Sequence, residues 1–300
     1  MIVSIIGVGQ VGQCYARALA AAGHTLHTLC DITPTPTIRA FATEVGAQVT
    51  TAPGPWLSEA DLVISAVFGH AALDVAAHAL PYLKPGAQFA DFTTASPDDM
   101  LRAAAVAHTH DIPFTDVAIM GAIFIARDKT PLLCSGSGAA HVAAFMAACG
   151  APARAIEGQA GDAMTLKLLR SIITKGLESL AVECLVAADQ KNLRPALYEV
   201  LADVDSMPLT RFLESMVRSH VVHAERRLVE VQEARQQLVD DNLEPLVLDG
   251  VERLFARTAA ALAQRREALA TSPQSVAPIE DTLDASLAWL TPLAQHSSTK

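Results

Sequence analysis

The apolar run Met1-Ile2-Val3-Ser4-Ile5-Ile6 leads without a break into Gly7-Val8-Gly9-Gln10-Val11-Gly12, and an Ala-rich helical stretch follows at once. Few folds are open to a strand that passes through three glycines at this spacing and leaves as a helix. The first glycine allows a tight turn, the second lets a pyrophosphate approach the backbone, and the third lets the helix lie close on the strand. Unpaired N–H groups and the positive end of the helix dipole then favour the phosphates. A second β-like run, Thr25-Leu26-His27-Thr28-Leu29-Cys30, ends in Asp31, about twenty residues past the glycines, where an acid hydrogen-bonds the adenosine ribose. The pattern predicts a dinucleotide-binding unit with Gly7, Gly9, Gln10, Val11, Gly12 and Asp31 around the cofactor, and Val67, just after a third strand, is added to that set. A carboxylate at position 31 repels an added 2′-phosphate and favours NAD, while Arg39 and the hydroxyls of Thr33 and Thr35 leave NADP open.

Up to about residue 150, short β-like runs (2–6, 25–30, 62–66, 88–91, 113–117 and 132–135) alternate with helical stretches, which is the pattern of a parallel sheet covered by helices. Past Gly158 the texture turns to long amphipathic segments. The expected fold is α/β, an N-terminal Rossmann doubly wound sheet over residues 1–155, followed by an all-helical domain over 156–300 that holds substrate and dimerises. A chain of 300 residues is long enough for two such cores. The mean hydropathy of +0.30 owes much to alanine, and no apolar run reaches the roughly 18–20 residues of a spanning helix. The opening segment lacks a positive n-region and reads as a strand rather than a signal peptide. A net charge of −10 argues against nucleic acid or an anionic membrane as partner. Five scattered cysteines without a C-x-x-C pair fit reduced thiols in a cytoplasm. The polar residues 295–300 are expected to fray.

Asp162 is the expected N-cap of a long helix reaching about residue 188. Leu166, Leu169, Ile173, Leu177, Leu180 and Cys184 recur every three or four residues and predict one buried face. Lys167, Ser171, Thr174 and Glu178 fall on another face. Lysine is seldom buried without a partner, and desolvation brings its proton exchange toward neutral pH. Lys167 is therefore a candidate general acid/base, with a structural, snorkelling lysine as the competing reading.

Several segments together resemble the β-hydroxyacid dehydrogenases, the superfamily of 3-hydroxyisobutyrate and 6-phosphogluconate dehydrogenases. Besides the glycine fingerprint, Asp91-Phe92-Thr93-Thr94-Ala95-Ser96-Pro97 resembles its D-x-S-T-x-x-P segment and Asp116-Val117-Ala118-Ile119-Met120-Gly121-Ala122 its D-A-P-V-S-G-G motif. The run Gly158-Gln159-Ala160-Gly161-Asp162-Ala163-Met164-Thr165-Leu166-Lys167 resembles its catalytic-lysine motif. The resemblance implies hydride transfer between a nicotinamide and a hydroxy or keto substrate, with Lys167 moving the proton, Thr94 beside the nicotinamide, and Met120, Gly121 and Ser171 at the substrate. Ile173-Thr174-Lys175-Gly176-Leu177-Glu178 and His223-Ala224-Glu225-Arg226-Arg227 look more like a branch with a distinct phosphogluconate-dehydrogenase-like C-terminal domain. Such helices imply a homodimer.

Met120 stands where the family has serine and Ser171 where it has asparagine. Methionine cannot replace the hydroxyl, which points away from a small 3-hydroxy carboxylate held in the usual way and toward bulkier or more apolar substrates. An anionic substrate would instead meet Arg170, Arg226 or Arg227. The pairs His220/His223 and His108/His110 lack a third ligand at metal-site spacing, so no metal is expected. Neither G-x-S-x-G nor a P-loop is present, which sets aside serine hydrolysis and P-loop phosphoryl transfer. Two other readings stay open: reduction of a C=N bond in the manner of imine reductases, and a dinucleotide-sensing protein without turnover.

Overall fold

The computed structural model describes residues 1–272, 274 and 277–295. Residues 296–300 of the stretch expected to fray lie outside them. Two compact units divide the chain, Met1–Ile173 and Thr174–Lys300.

The first unit alternates strand and helix in the order β1 (Ile2–Ile6), α1 (Gln10–Ala21), β2 (Thr25–Cys30), α2 (Pro36–Val45), β3 (Gln48–Thr50), β4 (Leu62–Ser65) and α3 (Ala72–Ala79). It continues through β5 (Gln88–Asp91), α4 (Pro97–Thr109), β6 (Phe114–Ile119), α5 (Ile123–Ala126), β7 (Leu132–Ser135), α6 (Ala139–Ala148) and β8 (Ala153–Ala155). The eight strands form one sheet in the order β3-β2-β1-β4-β5-β6-β7-β8. The order reverses beside β1, and in open α/β sheets ligands bind at the carboxyl ends of the strands at such a switch point.

Burial on both faces explains the near-continuous apolar strands. Val3, Ile5, Leu62, Ile64, Val117 and Cys134 pack on one face, under α1, α2 and α6. Ile6, Val63, Phe89, Phe114, Ala118 and Leu133 pack on the other, with Met100 and Ala103 of α4. The period-2 alternation of strands places Ser65, Asp91, Asp116 and Ser135, which are register neighbours on successive strands, on that second face. A polar row thus crosses an otherwise apolar layer.

The sheet departs from a purely parallel one at β7, which pairs antiparallel with β6. Between them the chain carries only α5 and a 3-10 turn, and without a full crossover helix it returns in the opposite sense. β3 and β8 escape sequence reading because each has only three residues, Gln48-Val49-Thr50 and Ala153-Arg154-Ala155, with few apolar positions.

Past β8 come α7 (Asp162–Gln190), α8 (Arg194–Val200), α9 (Ala202–Asp205), α10 (Leu209–Asp240), α11 (Leu248–Thr271) and α12 (Leu283–Ala294), with no strand among the described residues. The expected division at 155/156 falls at the end of β8, whereas compactness divides the chain inside α7. In the second unit the Glu183 carboxylate accepts the N–H groups of Val247 (2.8 Å) and Leu248 (3.1 Å) at the start of α11. His220 is 2.9 Å from the Thr258 hydroxyl and edge-on to Phe255, a packing role between α10 and α11.

Two expectations for α7 fail. Asp162 does not cap it: its carboxylate turns back to accept the Gln159 N–H at 2.9 Å. The stripe expected to be buried is not, since Leu166, Leu169, Ile173, Leu177 and Leu180 are all substantially exposed, Leu169 by 53%. Of the whole helix only Ala163 and Met164 are buried. Helical periodicity shows that a face is apolar; it does not show what covers it.

Candidate active site

Gly7 follows β1 with φ +87° and donates its N–H to the Cys30 carbonyl at 2.8 Å. A Cβ there would lie 2.3 Å from the Ala66 carbonyl oxygen, so both the dihedral and the neighbouring strand require glycine. A Cβ on Gly12 would lie 2.0 Å from the Gly7 carbonyl oxygen, which is the close helix-to-turn approach expected of the third glycine. A Cβ on Gly9 would meet nothing within 4 Å. The space over Gly9 and the start of α1 is therefore open, and it fits a pyrophosphate brought against backbone N–H groups. Gln10 and Val11 occupy the first turn of α1. The Gly9 backbone caps that helix with no side-chain cap bond.

Asp31 stands beside this turn, where its Oδ2 accepts the Val8 N–H and its Oδ1 the Thr33 N–H, both at 2.9 Å. These bonds aim the carboxylate and leave each oxygen a further lone pair for a ribose hydroxyl. Thr35 caps α2 by accepting the Ile38 N–H, which leaves its hydroxyl proton to donate to another acceptor. The Val67 N–H donates to the Thr93 hydroxyl at 3.1 Å. Close by, Gly69 passes so near the Thr94 carbonyl that a Cβ would come within 2.5 Å. The loop after β4 is thus held on the loop after β5, with Phe68 left 78% exposed and stacked on His70.

Lys167 Nζ donates to Thr94 Oγ1 at 2.6 Å, so two residues far apart in sequence are brought together. Burial lowers the lysine's proton affinity, and the negative charge of Asp116 partly restores it. Ser171 lies one turn on, but its hydroxyl donates to the Lys167 carbonyl at 3.0 Å. Met120 packs with the apolar layer that includes Ala160, Ala163 and Met164, and Gly121 sits against the Thr130 methyl, 3.1 Å from a built Cβ.

Two buried acids underlie the lysine, and motif reading assigned neither a role. Asp116 Oδ2 accepts the N–H groups of Gly161 (3.1 Å) and Met164 (3.0 Å) and the Ser135 hydroxyl (3.3 Å). Burial raises its proton affinity, and these donors oppose that rise. Asp91, fully buried, takes the Thr93 N–H at 2.8 Å on Oδ1 while its Oδ2 has no partner. Burial pushes its pKa up to about 7. An acid set among apolar strand residues, as Asp91 after Phe89-Ala90 and Asp116 before Val117-Ala118-Ile119, is the sequence signal that could have marked them.

Among the described residues no group of three metal-ligating side chains converges, and no helix is long and apolar enough to cross a membrane. A cavity of 520 Å³ lined by Leu180, Cys184, Leu193, Leu197 and Leu238 lies in the second unit. Its two charged lining residues are engaged, Lys191 with Asp241 and Glu183 with the Val247 and Leu248 N–H groups, so it offers little polar lining to orient a substrate.

Several known proteins resemble this chain in sequence or fold. An uncharacterized 28.5 kDa protein in the 7S RNA 5′ region of Methanothermus fervidus is 29% identical over 199 residues, 66% of this chain and 76% of that one. A conserved protein of unknown function, described as structurally similar to 3-hydroxyacid dehydrogenases, is 26% identical with a TM-score of 0.58, covering 88% of this chain and 99% of its own. An imine reductase of Streptomyces aurantiacus shares the fold at 16% identity, with a TM-score of 0.73 over 97% of this chain and 99% of its own. Residues 188–258 match a domain of unknown function (DUF1932). Residues 2–158, more than half of the chain, match the NAD binding domain of 6-phosphogluconate dehydrogenase. The chain belongs to that family, within the superfamily of hydroxyacid dehydrogenases that its motifs resemble.

Proposed function

We propose that the protein is an NAD(P)-dependent oxidoreductase acting on a hydroxy or keto substrate, with Lys167 as the general acid/base. The observation that carries this reading is the half-buried Lys167 held by Thr94, on the family's dinucleotide-binding domain. A bound nicotinamide supplies or accepts the hydride. In oxidation the neutral Lys167 amine takes the proton of the substrate hydroxyl, and in reduction the ammonium returns it to the carbonyl oxygen. Thr94 Oγ1 accepts from Nζ and so fixes the amine's approach. Met120 offers no hydroxyl, and Phe124 and Ile125, 71% and 75% exposed, add apolar surface just beyond it; these residues support a substrate with an apolar body. Asp31 supports NAD as the preferred dinucleotide.

The same reading makes the protein a cytoplasmic homodimer joined through its helices. The apolar face of α7, with Leu169 53% and Leu177 46% exposed, supports a second copy as its cover, and the five free cysteines support a reducing compartment.

The test is to titrate the protein with NADH and NADPH by fluorescence, then to assay the preferred cofactor against 3-hydroxy acids, ketones and imines. The expected result is tighter NADH binding, turnover of a hydroxy or keto compound, and loss of that turnover in a folded, cofactor-binding Lys167→Ala. Near wild-type turnover by that variant, activity on imines alone, or dinucleotide binding with no hydride transfer overturns the proposal.

A further inference from the structure

Helix α7 carries the lysine on which the proposed chemistry turns, yet it lacks a cap of its own, since Asp162 bonds to Gln159 instead. Its first turn is held from the sheet. Asp116, in the middle of β6, accepts the N–H groups of Gly161 and Met164 on a single oxygen, Oδ2. Ser135 donates its hydroxyl to that oxygen and accepts the Ala163 N–H at 3.0 Å. Three N–H groups at the helix start, those of Gly161, Ala163 and Met164, therefore rest on two side chains of adjacent strands. Ala163 and Met164, the buried residues of α7, lie over this pair, and Lys167 follows Met164 by almost one turn, on the adjacent side of the helix.

We propose that Asp116 is a positioning residue for Lys167: from β6 it fixes the first turn of α7 and holds a buried negative charge near the amine, so that Lys167 reaches Thr94 as a proton carrier. This rests on the reading of Lys167 as the acid/base, and it adds a residue that touches neither substrate nor cofactor. The arrangement is suited to an anion. A buried carboxylate needs donors to keep its charge, and Asp116 has three. Its register neighbour Asp91 has one backbone donor and an unpartnered oxygen. Of two adjacent buried acids, the better-solvated one keeps the charge and the other the proton. The titratable groups facing Asp116 are Asp91 on β5 and Lys167 on α7, while Cys134 of β7 feels its charge from the opposite face of the sheet. Both Asp91 and Cys134 are driven toward their neutral forms by burial, which leaves Lys167 as the countercharge.

The experiment needs no substrate. Lysines of the full-length protein are reductively 13C-methylated, Lys167 is assigned by loss of its signal in Lys167→Arg, and its titration is followed in wild type and Asp116→Asn. The expected result is a fall in the Lys167 midpoint of about one pH unit or more on removal of the opposing charge, with NADH affinity unchanged because Asp116 lies off the dinucleotide turn. A midpoint that does not move overturns the proposal. Should Asp116→Asn fail to fold, 13C-carboxyl NMR of the wild type decides: Asp116 ionised throughout the Lys167 titration supports the assignment, and Asp116 protonated over that range refutes it. Since both readings are made without turnover, they can fail while Lys167→Ala still abolishes activity, and the reverse.

Discussion

Asp91 offers a quantitative check on how charge is distributed beneath the site. Its carboxyl is fully buried, and burial lifts its pKa from an ordinary 3.8 to about 7. Below pH 3.8 the folded and unfolded chains both carry the proton, and no stability is lost. Between pH 3.8 and about 7 the unfolded chain has released it while the folded one retains it, so stability falls as pH rises, by about 1.4 kcal/mol per pH unit. The whole gap amounts to about 4 kcal/mol. Asp91→Asn keeps an oxygen for the Thr93 N–H and cannot ionise. Its amide group, standing where Oδ2 has no partner, costs about 1–3 kcal/mol, but that cost does not vary with pH. The stability of the variant relative to wild type should therefore improve by about 3 kcal/mol between pH 5 and pH 8. The assay is urea unfolding followed by the fluorescence of Trp56, which lies in the first unit, in a Trp289→Phe background that silences the second unit. A variant-minus-wild-type difference that stays constant to within about 1 kcal/mol across that range would show that Asp91 does not hold its proton in the folded state, and the reasoning would fail.

The fingerprint glycines should separate fold from function. Gly9→Ala has room for its methyl and should leave the melting temperature unchanged while NADH affinity drops about tenfold or more, ~1.4 kcal/mol; Gly12→Ala, whose methyl would meet the Gly7 carbonyl, should lose about 1–3 kcal/mol of stability. The rate of substrate oxidation should rise with pH through the titration of Lys167 at a value below that of an ordinary lysine, because burial lowers it, and the reverse reaction should fall over the same range. Replacing Leu169 and Leu177 with glutamate should convert the proposed dimer to monomer in analytical ultracentrifugation. A dimer that persists would show that this face of α7 is not the interface.

The fold was legible where local chemistry and the global pattern coincide. A strand, three spaced glycines and a helix leave little freedom, and strands buried on both faces announce themselves as apolar runs. β3 and β8 were not legible because three residues with few apolar positions carry too little signal. The reversal of β7 was hidden because alternation predicts strands rather than their direction. Within the site, Lys167 and Thr94 could be paired only through motif resemblance, since no spacing rule links residues on different elements. Asp116 and Asp91 were missed as functional for a related reason: their chemistry comes from burial and from donors that the folded backbone brings to them. Asp162 shows the converse error, a residue of the right type at the right place whose side chain was claimed by a nearer N–H.

The borrowed cap of α7 bears on how such a chain can be divided or recombined. A cut at the end of β8 passes between Asp116 and the helix start it satisfies. It leaves exposed N–H groups on one fragment and a buried carboxylate without two of its donors on the other. A helical half transplanted onto another nucleotide-binding domain would need either an acid at the equivalent point of its sixth strand or a new capping residue of its own. The two halves are therefore not freely exchangeable parts, and relatives that recombine them should keep the acid and the helix start together.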